Sequence, residues 1–141
     1  MGKLMARAAA FVRCEGADGS GHLGWAFDLD SGETYCGSVE NPQGLPSCDP
    51  ADMVFWNQES PAPVALMAAR RPAYESLKYV DLAAGNSLDA QSTIAWIATQ
   101  PYCLFGRNCM DDVYDVLRSY GVPNLPPPVL HWFPNNWFAG F

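Results

Sequence analysis

The feature that most constrains this fold is a β-hairpin written between residues 22 and 40. His-Leu-Gly-Trp-Ala-Phe-Asp (22–28) alternates, with Leu23, Trp25 and Phe27 on one side and His22, Gly24 and Ala26 on the other. Asp30-Ser31-Gly32 is a tight-turn sequence, and Glu33 to Glu40 returns as a second strand. An antiparallel pair with one face of large rings must bury that face against another layer of the domain. The small residues beside His22 leave room for a neighbouring helix to approach on the His22 side.

Further elements read outward from the hairpin. Residues 5–14 are apolar and mildly alternating, which reads as a strand with a short helix as the alternative, and Gly16 to Gly21 is a turn. Asn41 to Pro50 is a Pro/Gly-rich loop. Asp52 to Trp56 is a short buried segment of open type, and residues 62–70 fit helix and strand equally. Tyr74 to Leu82 reads as a strand. Asn86 or Ser87 caps a helix to about Thr99, with Leu88, Gln91, Ile94, Ala95 and Ala98 as its mostly apolar face. Asn108 caps a second helix with Asp111 and Asp112 in its first turn. Val113, Val116, Leu117 and Tyr120 form its buried stripe, and Gly121 and Pro123 end it. From Asn124 to Phe141 the chain reads as an extended arm pinned to the domain by Trp132, Phe133, Trp137 and Phe138. With neither repeats nor low-complexity linkers, the 141 residues read as one domain.

Charge and cysteine usage exclude several classes of function. The net charge is −7 and no Lys/Arg cluster is present, which argues against nucleic acid and anionic membrane as partners. No stretch approaches a membrane span. The apolar run at 8–12 is too short for a signal sequence, so a cytoplasmic location is expected. Five cysteines, at 14, 36, 48, 103 and 109, form no C-x-x-C pair. With two isolated histidines they offer neither a disulfide framework nor a zinc set, so no metal or other cofactor is expected. No G-x-S-x-G elbow is present for a serine hydrolase.

Two residues stand out chemically. Cys109 falls in the first turn of a capped helix, where backbone N–H groups stabilise a thiolate and can bind an oxyanion. The same position suits a small packed residue, and an inward-facing Asp112 would oppose the thiolate. A thiol nucleophile needs a base, and the chain has only His22 and His131. His22 is the better placed, at the head of a strand. For a group to orient its imidazole, the hairpin offers Ser38, Glu40 and Asn41, of which Glu40 is favoured.

Gly21-His22-Leu23-Gly24-Trp25, Tyr35-Cys36-Gly37-Ser38-Val39-Glu40-Asn41, and Tyr102-x-Leu-x-Gly-Arg-Asn108-Cys109 followed by a helix together resemble the circularly permuted branch of the NlpC-type, papain-like thiol enzymes. The Asn-Cys-helix segment is also similar to the PPPDE group, and the family includes lecithin–retinol acyltransferase-like members. The resemblance spans roughly 20–41 and 85–138; residues 45–80 align with nothing. It implies an α+β domain, an antiparallel sheet packed against helices in a permuted papain-like fold with the histidine strand ahead of the cysteine helix. It also implies a thiol peptidase, amidase or acyl-transfer activity on a peptide, amide or acyl substrate. Cys109, His22 and Glu40 would be catalytic, with Tyr102, Trp25 and Asn108 near the substrate. The competing reading is a peptide- or small-ligand-binding module on the same fold without turnover, with an aromatic groove as its surface. The aromatic content also permits a dimer.

Overall fold

The computed structural model describes residues 6–13, 22–40, 52–58, 76–100, 108–130 and 133–141. Five strands are described: β1 (Ala6–Arg13), β2 (His22–Asp28), β3 (Thr34–Glu40), β4 (Asp52–Gln58) and β5 (Ser76–Leu82). They form one antiparallel sheet in the order β4-β3-β2-β1-β5. The helices are α1 (Ser87–Ile97), α2 (Cys109–Tyr120) and the short α3 (Pro134–Gly140), which follows a 3-10 turn at Pro128–Leu130. The α+β class and the antiparallel sheet that the resemblance implies are therefore present.

The β2–β3 hairpin closes as its turn chemistry requires. Gly32 has φ +93, which a Cβ would strain, and its N–H bonds Leu29 O at 3.0 Å while Leu29 N–H bonds Glu33 O at 2.8 Å. The segment at 52–58, open in type from the sequence, is an edge strand beside β3. Residues 62–70 lie outside the described residues.

Register assigns the faces. Ala8, Ala10 and Val12 stand opposite Phe27, Trp25 and Leu23, and Phe27 stands opposite Tyr35. These side chains, with Val39, Val80 and Leu82, form one core with Cys109, Met110, Val113, Val116, Leu117 and Tyr120 of α2 and Trp137 of α3. The helices therefore cover the Trp25 face. This corrects the expectation that a helix approaches on the His22 side. Burying a large apolar side chain gains about 1.5–3 kcal/mol, whereas Gly24 and Ala26 offer almost no apolar area, so the helix goes where the rings are.

The far face is closed to solvent as well. Ala9, Ala26, Cys36 and Ser38 lie on it, each at most 2 % exposed, and none belongs to the helix-side core. At its exposed end Arg7 bonds Asp81 at 2.8 Å and stacks 4.7 Å over the Tyr79 ring.

Two expectations about the helices need revision. The side of α1 that packs against α2 is Ser87, Ala90, Ile94 and Ile97, and Leu88 is 73 % exposed. The Asn86 side chain, bonding Asp89 N–H at 3.0 Å, fixes where the helix starts, and small residues let the two helices approach. The C-terminal segment is not simply an extended arm. It folds into α3, whose Trp137 is fully buried and donates from Nε1 to Pro126 O at 2.6 Å. Lys78 Nζ reaches from β5 to the Phe138 carbonyl at 2.7 Å, at the end of α3 where the helix dipole favours a cation.

Candidate active site

Cys109 owes its position to the cap of α2. Asn108 is extended, and its Oδ1 accepts Met110 N–H at 2.9 Å and Asp111 N–H at 3.5 Å, while Asp111 Oδ2 accepts Asn108 N–H at 3.1 Å. This capping box makes Cys109 the first helical residue. Asp112 N–H goes to Asn108 O at 3.1 Å, so the first-turn donor that these bonds leave over is the N–H of Cys109 itself. The helix ends in a Schellman-type turn. Gly121 has φ +111, and Val122 N–H bonds Leu117 O at 3.0 Å.

The far end of α2 fixes its orientation over the sheet. Tyr120 packs on Phe27 with ring centroids 5.1 Å apart, and its hydroxyl donates to Asp28 O at 2.7 Å. Strand β2 is the helix's main neighbour in the sheet. Tyr120 thus stands at the Asp28 end of β2.

His22 and Cys109 belong to different faces of the sheet. His22 pairs with Arg13 in an unbroken register and alternates with Leu23, so its side chain leaves the sheet on the far side, with Gly24 and Ala26. It is 7 % exposed and its Nε2 atom is sealed from solvent. Cys109 is 2 % exposed and belongs to the helix-side core. The cleft expected between sulfur and imidazole is therefore not assembled in this arrangement. The physical reason is the side on which the helix lands.

The remaining candidates divide. Glu40 ends β3, beyond the last residue pair that β3 forms with β2, Gly24 with Ser38, and stands opposite Asp52 of β4. Ser38 is on the far face with Cys36 and is fully buried. Trp25 is not a substrate contact here: it is fully buried under α2, and its Nε1–H has no hydrogen-bond partner among the described residues. Asn108 serves as the helix cap, so its side chain is committed to backbone. Tyr102, Asn41 and His131 lie outside the described residues. Asp112 does face inward, at 1 % exposure, as its position three residues after Cys109 left open.

Cys36 is a useful contrast with Cys109. It sits mid-strand, fully buried, and burial pushes its thiol up to about 12. It is a packed thiol with no chemistry to offer at neutral pH. Among the described residues, no group of three His, Cys, Asp or Glu side chains is arranged to hold a metal ion, and no helix is long and apolar enough to cross a membrane. Comparison with known proteins gives no match, whether to a family model, to a curated protein or to a solved structure.

Proposed function

We propose that this chain is a thiol hydrolase of the permuted papain-like kind, acting on an amide, peptide or related acyl substrate. The observation that carries the reading is that Cys109 is the first residue of a capped twelve-residue helix that packs on the histidine strand. In this reaction the Cys109 sulfur attacks a carbonyl and forms a thioester. The base takes the thiol proton and returns it to the leaving group, and water then releases the acid. The Cys109 N–H is the natural oxyanion donor, because the neighbouring N–H groups are used by the cap. His22 is the base of the proposal, with Glu40 as the group that orients it. The arrangement described above carries a condition for it. The imidazole must come round the end of β2 to the helix side, a change of face that rotation about χ1 does not provide.

A second reading has its own support. A sulfur sealed in the core, a buried Asp112 on the same helix turn and an imidazole across the sheet all suit a ligand-binding module that performs no chemistry. One experiment separates the two. The native chain is alkylated with iodoacetamide near pH 6 and the five thiols are read by mass spectrometry, with fully buried Cys36 as the slow reference. The hydrolase reading expects Cys109 to react at least tenfold faster than Cys36 and to slow when His22→Ala is introduced. Cys109 labelling no faster than Cys36 until urea is added would leave the binding module standing and the nucleophile lost.

A further inference from the structure

Helix α3 is joined to the molecule differently from α1 and α2. Seven residues are too few for a helix to persist alone in water, and its N-cap, Phe133, makes no side-chain cap hydrogen bond. Docking therefore holds it. It supplies one member of the core, Trp137, with Phe138 and Phe141 packed alongside, where α2 supplies six. The Trp137 indole N–H bonds Pro126 O, and Phe141 stacks on the ring with centroids 5.4 Å apart. Both of these partners lie in the same stretch of chain as the helix, not in the sheet or in α2. A charged tie crosses to the sheet at Lys78, which stands opposite Ala10 on β5, the last strand of the described sheet. Its Nζ donates to Phe138 O at 2.7 Å and Ala139 O at 3.3 Å, and lies 4.8 Å over the Phe138 ring.

We propose that α3 is a strap that undocks from the sheet as a unit, with Trp137 leaving the core, while the strands, α1 and α2 stay folded, and that Lys78 is the clasp that holds it closed. The rest of the core is made without α3. Tyr120 remains on Phe27 and bonded to Asp28 O, and Ala90, Ile94 and Ile97 remain on α2. What opens is the strip of β1 and β2 that α3 touches, at the level of Lys78 and Ala10. A local opening of this kind lies below global unfolding in free energy, because it gives up the contacts of one short element and keeps the others. The strap needs no chemistry from Cys109 and stands whether or not that thiol is a nucleophile.

The test is amide hydrogen exchange of the full native chain, read by mass spectrometry where the rate reports the opening equilibrium. Amides 136–141 of the strap are expected to be protected, yet to exchange at least about tenfold faster than amides 113–120 of α2. Two mild variants then separate local from global opening. Ile94→Val weakens the α1–α2 contact, which survives when the strap is open. It should speed 113–120 about fivefold and leave 136–141 within about twofold of wild type. Lys78→Met keeps the apolar stem and removes the ammonium, so it weakens only the closed state. It should speed both segments by about fivefold or more. Strap amides as slow as those of α2, or speeded in step with them by Ile94→Val, would mean that α3 opens only with the whole molecule. Strap amides with no protection would mean that it is not docked, and amides 136–141 indifferent to Lys78→Met would mean that Lys78 is not the clasp. Each of these results would overturn the proposal.

Discussion

The two faces of the sheet are both closed to solvent, yet they are made differently. The helix-side face carries Leu23, Trp25, Phe27, Val12 and Val39. The far face carries His22, Gly24, Ala26, Ala9, Cys36 and Ser38. Large rings supply the area that draws α2 onto the sheet, while small and polar residues line the side away from it. The contrast teaches that space for a helix and attraction for a helix are different properties. A strip of Gly and Ala beside a histidine signals room, but the helix follows apolar area.

Stability measurements can break this comparison. Trp25→Ala and His22→Ala change neighbouring rungs of β2 on opposite faces. Trp25→Ala should lower unfolding free energy by about 3–5 kcal/mol, as for other buried aromatics, and His22→Ala by about 1 kcal/mol. Equal losses in urea titration would mean that the far face carries as much of the packing as the near one. Trp25→Phe should recover most of the larger loss, because the indole N–H it removes has no hydrogen-bond partner among the described residues.

The anchoring of α2 gives the next effect in size. A methyl group on Gly85 would overlap the Tyr120 ring, and Asn86 N–H bonds Tyr120 O at 2.8 Å beside it. Gly85→Ala should therefore cost about 2–3 kcal/mol, through displacement of Tyr120 from Phe27. An unchanged urea midpoint would show that Tyr120 has freedom to move, and that the helix is held mainly by its aliphatic stripe.

The smallest effect is the sharpest test of the Asp28 end. Tyr120→Phe removes the hydroxyl donor to Asp28 O and should cost about 1 kcal/mol at neutral pH. Burial first, and then the carboxylates of Asp28 and Asp30, push the Tyr120 hydroxyl from 10.0 up to about 12. The folded state therefore holds this proton more tightly than the unfolded one. Its contribution is complete below pH 10 and is lost as pH rises from 10 toward 12. Tyr120→Phe should flatten that part of the stability–pH curve. A decline of the same steepness in the variant would assign it to another group.

Much of this architecture was legible in local chemistry. The hairpin, β1, β5, the Asn108 cap and the Gly121 stop each follow from residues within one element, and each is found close to its expected bounds. The type of the 52–58 segment was not legible, because a short apolar run fits strand or helix and its pairing with β3 is a long-range fact. Leu88 misled for a related reason: a helix with apolar residues nearly all round does not announce which side meets its neighbour. The candidate site was half legible. The helix start fixed the place of Cys109 at the first turn of α2. Which face the helix would choose depended on competition between the two sides of one strand, which no single motif encodes.

The sheet order has a consequence for how the chain is made. The strand nearest the N-terminus is interior: β1 is hydrogen-bonded to β2 on one edge and to β5 on the other, with Ala6 opposite Leu82. During synthesis β1 can zip to the hairpin early, but its second edge stays open until some seventy further residues have emerged. Over that interval an Ala-Ala-Ala-Phe-Val segment presents unpaired backbone to whatever is nearby. A chain interrupted before residue 76 would keep that edge exposed permanently, and aggregation through β1 is the fate expected of such a fragment.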